Sequence, residues 1–243
     1  MALYDSFAEQ YKKIEDTYVY KYVFEPSTKI LLAGVKGNEV IDVGCGSGKV
    51  TRLIKKLGAK KVLGSDNSIK QLRIAREIET KNPQGILYVL DDLVEKELMR
   101  CDKADFVTGI FVMQYSNSVQ ELEIAFKNIY LRLKRGGKFI GIVPNSKTPE
   151  QTNPKYGITC SVEGNFDGAK RVFNLVENDK KILSIENKYY TKETYENSIK
   201  LAGFKKFKWV PLIVSKEGIE KFEVGFWDEF LDAPYVVGLV AEK

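Results

Sequence analysis

The chain contains no histidine. Its absence removes the side chain whose free pKa lies nearest neutrality, so any acid–base step must fall to Asp, Glu, Tyr, Lys, Cys or water. It also excludes Ser–His and Cys–His nucleophilic machinery and a histidine-based catalytic metal. Cysteine is scarce. Cys45, Cys101 and Cys160 are too few and too scattered for a disulfide framework or a zinc site, so no metal is expected. The longest apolar runs, such as Phe139–Val143, are strand-sized, far short of the roughly 20 residues of a membrane span. The opening Met1-Ala2-Leu3-Tyr4-Asp5 has neither the basic start nor the apolar stretch of a signal peptide. The expected address is the cytoplasm, with no membrane partner. Repeats and low-complexity tracts are missing as well.

What remains is a chain of 243 residues, 44% apolar, enough for one α/β domain with its own core. The net charge of +5 is spread, with basic residues set between acids. The densest cluster, Lys205-Lys206-Phe207-Lys208-Trp209, alternates in the manner of a strand with one wet face, so nucleic acid is not indicated as a partner. Either a monomer or a homodimer fits this composition.

Along the chain, Ser6-Phe7-Ala8-Glu9 has the form of a capping box, and a Tyr-rich helical stretch over 17–33 is interrupted or restarted at Pro26. Val40-Ile41-Asp42-Val43 is a strand that ends in Gly44-Cys45-Gly46-Ser47-Gly48. A helix follows, carrying Val50, Leu53, Ile54 and Leu57 and closed by Gly58. The alternation continues with a strand over 61–65 ending at Asp66. Next come a helix over 68–80 with Ile69, Leu72, Ala75 and Ile78 inward, and a strand over 86–90 ending in Asp91-Asp92. Further units are a strand over 104–110, a helix over 119–133 and a strand over 138–143 entered through Gly136-Gly137. Strands alternating with amphipathic helices mean parallel βαβ units with helices on both faces. Residues 146–170 hold Pro149, Pro154 and several Gly and Asn, which predicts a loop or a lid-like insertion. A strand pair over 171–176 and 182–188, a helix from about Thr191 to Leu201, a helix over 215–231 and two last strands over 204–210 and 235–241 complete the reading.

The glycine loop sits at the carboxyl end of a strand and opens a helix, where open α/β sheets bind ligands. Asp66, at the end of the next strand, stands at the distance from which an acid grips ribose hydroxyls. Asp91, at the end of the third strand, is positioned for an adenine edge. These three strand ends together make a nucleoside pocket. A dinucleotide fingerprint would need its third glycine one position later, where Lys49 stands. A phosphate loop would need Ser or Thr at Val50 and Gly at Val43. Asp42, just before the loop, suits the cationic amino-acid end of S-adenosylmethionine and would repel a pyrophosphate.

At these residues the chain resembles the class I S-adenosylmethionine-dependent methyltransferases. Val40–Gly48 is a near-consensus form of their first motif, and Gly64-Ser65-Asp66-Asn67-Ser68 with Gln71 and Ala75 is similar to their second. Ala104-Asp105-Phe106-Val107 and Leu133-Lys134-Arg135-Gly136-Gly137 are similar to later strand and turn elements. The resemblance implies an α/β fold, a Rossmann-like seven-stranded, mostly parallel sheet with a small inserted cap. Residues 1–36 would form an N-terminal helical lid, 37–145 the cofactor core, and 146–243 the cap plus the last strands of one domain. It further implies that Asp42, Gly44, Gly46 and Gly48 hold the methionine part and Asp66 the ribose. Asn67, Gln71, Asp91 and Asp92 would surround adenine, with Ile110 and Phe111 near the sulfonium. Tyr4 and Tyr11 fit the aromatic N-terminal segment that closes over the cofactor in small-molecule members. The C-terminal stretch, with Tyr189-Tyr190, Thr194-Tyr195 and Phe226-Trp227-Asp228-Glu229-Phe230, looks like the toxoflavin-type methyltransferases. Many relatives carry His near position 114, and this chain has Gln114-Tyr115.

Methyl transfer from a sulfonium is an in-line displacement with an activated leaving group, so alignment and water exclusion supply much of the rate. Without His, the expected acceptor is a small, flat molecule offering a ring nitrogen, an amine that sheds its proton or a phenol. Gln114 and the aromatics Tyr18, Tyr22, Tyr115, Tyr156, Phe226 and Trp227 are candidates for its wall, with core packing as the alternative for each aromatic. The competing functions are an NAD(P)-dependent reductase and an RNA or protein methyltransferase.

Overall fold

Strand β1 (Glu39–Val43) is buried from Val40 onward, on both faces of the sheet, which is why it reads as a near-continuous apolar run rather than an alternation. The computed structural model describes residues 14, 17–95, 103–148, 150–178 and 180–243. Five further strands flank β1 in chain order up to Pro144 and beyond the cap: β2 (Lys61–Asp66), β3 (Leu87–Leu90), β4 (Ala104–Ile110), β5 (Leu133–Pro144) and, near the C-terminus, β9 (Lys206–Val210). With β10 (Val236–Glu242) they form one seven-stranded sheet in the order β3-β2-β1-β4-β5-β10-β9. Neighbours from β3 through β5 run parallel, and β10 pairs antiparallel with both β5 and β9. The mostly parallel Rossmann-like sheet expected from the alternation is the one observed.

A π-helical turn (Tyr20–Phe24) runs into helix α1 (Glu25–Leu31), with Pro26 in its first turn where its missing N–H costs nothing. Helix α2 (Lys49–Lys56) follows the glycine loop. Helices α3 (Ile69–Lys81), α4 (Val119–Arg132) and α5 (Lys192–Ala202) each begin at a hydroxyl cap, Ser68, Ser118 and Thr191, whose side chain accepts from the backbone N–H three residues on. Successive strand residues point to opposite faces. Ile41, Val43, Val107 and Phe139 pack on Phe126 and Ile129 of α4 and Ile199 of α5. Val40, Val62 and Ile140 face the other way, onto Ile54 of α2 and Leu72 and Ala75 of α3.

Four expectations change on contact with the structure. The segment 146–170 is not a bare loop, because it contains β6 (Ile158–Val162). With β7 (Lys170–Glu177) and β8 (Lys180–Lys188) it forms a separate three-stranded antiparallel sheet. Pro154 and Gly157 mark a tight turn, Pro154–Tyr156 closed by Gly157, after which Ile158 and Cys160 are buried. The single helix expected over 215–231 is two short ones, α6 (Lys216–Lys221) and α7 (Asp228–Asp232), separated where Phe222 is extended and Gly225 turns at φ 87°. Ile69 is 58% exposed, since the first residue of α3 lies outside its packed stripe. Strand β5 begins at Leu133, before the glycines, by pairing Leu133 with Ala104 across a register shift. The capping box at Ser6–Glu9 lies outside the described residues. Among those residues no helix is long and apolar enough to cross a membrane.

The first core is held together by Phe126, fully buried and edge-on to Phe139 at 5.9 Å and Tyr195 at 6.3 Å between centroids. Truncation by Phe126→Ala should cost about 3–5 kcal/mol, read as a shifted midpoint in denaturant unfolding. A loss below about 1 kcal/mol would contradict this packing role.

Candidate active site

The carboxyl ends of β1, β2 and β4 converge on a cavity of about 920 Å³. Its floor is the glycine loop. Gly44 adopts φ 61°, and a Cβ there would sit 2.5 Å from Cγ2 of Val112, so both backbone and space demand glycine. The loop is fixed from the neighbouring strand. Asp66 accepts from the Gly46 amide through Oδ2 and from the Ser68 amide through Oδ1, each at 2.8 Å. The Cys45 amide donates to the Ser65 carbonyl at 2.9 Å. Asp66 is buried yet lies in the cavity wall, beside exposed Asn67 and buried Gln71.

Parallel pairing of β1 with β4 sets Asp42 opposite Thr108. The Thr108 hydroxyl donates to Asp42 Oδ1 at 2.6 Å and the Thr51 hydroxyl, from the first turn of α2, donates to Oδ2 at 2.7 Å. Asp42 is 2% exposed, and burial pushes its pKa up to about 6 against those two hydrogen bonds, with the Asp66 charge adding to the rise. The site therefore holds an acid that resists ionising until a cation or higher pH favours it.

The two acids after β3 part company. Asp91 is bound in a bidentate pair by Arg132 of α4, at 2.8 and 3.0 Å. Its carboxylate is engaged by that guanidinium, although the residue still lines the cavity. Asp92 accepts from the Val94 amide at 3.1 Å with one oxygen and also lines the cavity.

At the end of β4, Ile110, Phe111, Gln114 and Tyr115 form the opposite wall. Phe111 sits at φ 59°, a left-handed conformation that a non-glycine residue rarely adopts and that clusters at functional sites. Its amide donates to the Ile142 carbonyl at 2.9 Å, which holds the turn, and its ring lies 5.0 Å from that of Phe24. The roof comes from Tyr20, Phe24 and Thr28 on one side and from Asn187 of β8 on the other. Sequence reasoning missed these roof residues. For Asn187 a signal existed: Leu183, Ile185 and Asn187 share the buried face of β8, and a polar residue in that row is out of place unless it meets a partner.

Five aromatic candidates, Tyr18, Tyr22, Tyr156, Phe226 and Trp227, fall outside the cavity. Tyr18 is 46% exposed and packs its ring on Phe222 at 5.0 Å. Tyr22 is buried edge-on to Phe222 and Trp227. Trp227 stacks on Tyr156 at 5.3 Å and donates its indole N–H to the Gly218 carbonyl at 2.9 Å. Tyr22, Tyr156, Phe226 and Trp227 belong to one packed core beneath the cap, so packing accounts for them. Tyr4 and Tyr11 lie outside the described residues.

Residues 40–137 match the family model for a methyltransferase domain. Over this stretch the chain is similar to methyltransferase domains. The glycine loop, Asp42, Asp66 and the two acids after β3 all fall inside it, and the NAD(P)-reductase alternative is set aside. A ribosomal protein L11 methyltransferase from Thermosipho africanus is 36% identical over 116 residues, covering 46% of this chain and 40% of that protein. The chain thus spans less than half the length of this curated relative. In overall fold the methyltransferase domain and its cap are similar to an S-adenosylmethionine-dependent methyltransferase from Mesorhizobium loti. That structure has a TM-score of 0.65 at 20% identity, covering 93% of this chain and 98% of that one. Another, from Clostridium acetobutylicum, has a TM-score of 0.66 at 16% identity, covering 96% and 97%.

The raised pKa of Asp42 has a consequence for stability. Below the unfolded carboxylate value of about 4, both states carry the proton and nothing is lost. Between about 4 and about 6 the unfolded chain gives up this proton while the buried native carboxyl keeps it, so stability falls over that interval and levels off above it. The ligand-free protein should lose stability on the order of 3 kcal/mol from this group between those limits. Asp42→Asn should flatten that part of the profile in melts recorded from pH 4 to 7. An unchanged profile in the variant would remove Asp42 as the cause.

Proposed function

We propose that the chain transfers a methyl group from S-adenosylmethionine to a nitrogen or oxygen of a small, flat acceptor held between the sheet edge and the cap. The observation that carries this reading is one continuous cavity of about 920 Å³ whose walls include both the glycine loop and β8 of the cap. That volume lies near the top of the range for small-molecule sites, and suits a nucleoside cofactor with a compact acceptor beside it.

The donor set fits the cofactor. Asp42 offers a buried carboxylate whose ionised form a bound ammonium would stabilise. Asp66 offers its carboxylate to the ribose hydroxyls while its backbone bonds keep the loop in shape. Asp92, with Asn67 and Gln71, takes the adenine edge, since Arg132 already occupies Asp91. Gly44, Gly46 and Gly48 let the methionine part approach the backbone. When bound, the cofactor supplies a methyl group on an activated sulfonium. Ile110 and Phe111 exclude water beside it, and Gln114 and Tyr115 orient the acceptor. Burial pushes Tyr190, Tyr195 and Tyr235 up, so these phenols stay protonated at neutral pH and none serves as a base. The acceptor supplies its own lone pair, and proximity supplies the rate. Protein methylation is the second reading, favoured by the likeness to a ribosomal protein L11 methyltransferase.

Calorimetric titration with S-adenosylmethionine, S-adenosylhomocysteine and NADH tests the cofactor half. The first two should bind, NADH should not, and Asp66→Asn should weaken binding by about tenfold or more, as loss of a hydrogen bond to a charged group does. Binding of NADH, or indifference to the substitution, would defeat it. For the acceptor half, label from methyl-tritiated cofactor should appear in the small-molecule fraction of a cell extract. Label confined to protein would favour the second reading.

A further inference from the structure

A smaller pocket of about 50 Å³ adjoins the main cavity and shares Phe24, Phe111, Gln114, Tyr115 and Asn187 with it as walls. Three buried polar atoms face this region without a hydrogen-bond partner: Gln114 Oε1, Asn187 Oδ1 and the Tyr235 hydroxyl. Their residues are 3%, 6% and 1% exposed. Buried polar groups in folded proteins are nearly always partnered. Three orphans contributed by three separate parts of the chain (the turn after β4, strand β8 and the residue before β10) are not explained by any one strained loop. They share a small space that opens on the cofactor cavity.

Their chemistry is selective. Two amide carbonyl oxygens accept hydrogen bonds and cannot donate them, while a neutral buried phenol donates one readily. The remaining wall carries Phe24, Phe111 and Phe173 together with the buried Arg171, whose side chain is hydrogen-bonded to that of Cys160. Among the described residues that line it there is no Asp or Glu to pair an ammonium. We infer that this pocket reads one edge of the methyl acceptor, and that the acceptor is an uncharged planar lactam or related cyclic amide. Its ring N–H donates to Asn187 and Gln114 and its carbonyl accepts from Tyr235. The methylated atom stands outside this pocket, in the main cavity. The inference rests on the methyl-transfer reading and adds the substrate class to it.

The test is calorimetry with a lactam–lactone pair, 2-quinolinone and coumarin, together with quinazoline-2,4-dione, each titrated with and without saturating S-adenosylhomocysteine. Coumarin differs from 2-quinolinone by a ring oxygen in place of the N–H, so it leaves the two carbonyls unpartnered. Both lactams should bind at least about tenfold more tightly than coumarin, because a site built to accept an N–H rejects the analogue that lacks it. Asn187→Leu should abolish that preference and leave S-adenosylhomocysteine affinity intact, and Tyr235→Phe should reduce it. The melting temperature of Asn187→Leu should not fall, since the change removes an orphaned polar group at similar volume. A side chain with a merely structural role would instead lower the melting temperature on replacement. Equal binding of the pair, no lactam binding, or a preference that survives both substitutions would overturn the inference. Failure of S-adenosylhomocysteine to bind would defeat the methyl-transfer reading separately, and the arm without it still reports the lactam preference.

Discussion

The two hydrogen bonds accepted by Asp66, from Gly46 and from Ser68, are the constraint on which the rest of the site depends. One carboxylate ties the glycine loop after β1 to the entrance of α3 after β2, so two strand ends become one surface. With the loop pinned, Thr51 in α2 reaches Asp42, and Asp42 in turn meets Thr108 across the β1–β4 pairing. Five elements, β1, β2, β4, α2 and α3, are thereby linked through two buried acids. Charge-assisted bonds of this kind are short and strong, and in a wall shielded from water they stiffen the floor of the cavity before any ligand arrives.

Much of this floor was legible in the sequence because its chemistry is local. A strand, a glycine turn and a helix cap each occupy a few consecutive residues, and their signals are read within one window. The spacing from Gly48 to Asp66 adds only one further unit. The pairing of Asp91 with Arg132 was not legible, since the partners are 41 residues apart and only the contact of α4 with the segment after β3 joins them. Nor was the division of labour between Asp91 and Asp92, two adjacent acids that sequence alone leaves equivalent. The aromatic residues misled for a related reason. Tyr22 and Trp227 have the composition of a substrate wall, but burial is decided by where α6, α7 and the π-helical turn meet, which no local period records.

The cap was the least legible part and carries the most specific chemistry. Strand β6 is only five residues long and lies directly after a proline-led turn, so turn signals hid it. Once β6, β7 and β8 are paired, the inward row of β8 directs Asn187 toward the cavity, after Leu183 and Ile185 and opposite the buried Arg171 of β7. Phe111 closes the opposite side at a backbone angle that costs energy and is held by its bond to Ile142. Local preference is thus overridden on both sides of the space between core and cap, a pattern expected where a site rather than a core is being built.

A crystal structure of the protein with S-adenosylhomocysteine tests the central claim most directly, because it fixes where the sulfur points. The account requires the ribose against Asp66, the amino group toward Asp42 and the sulfur turned to the wall of Phe111 and Gln114, so that a methyl group leaving it would face the pocket beneath Asn187. A sulfur directed away from that wall, or a ligand bound outside the cavity, would contradict the account.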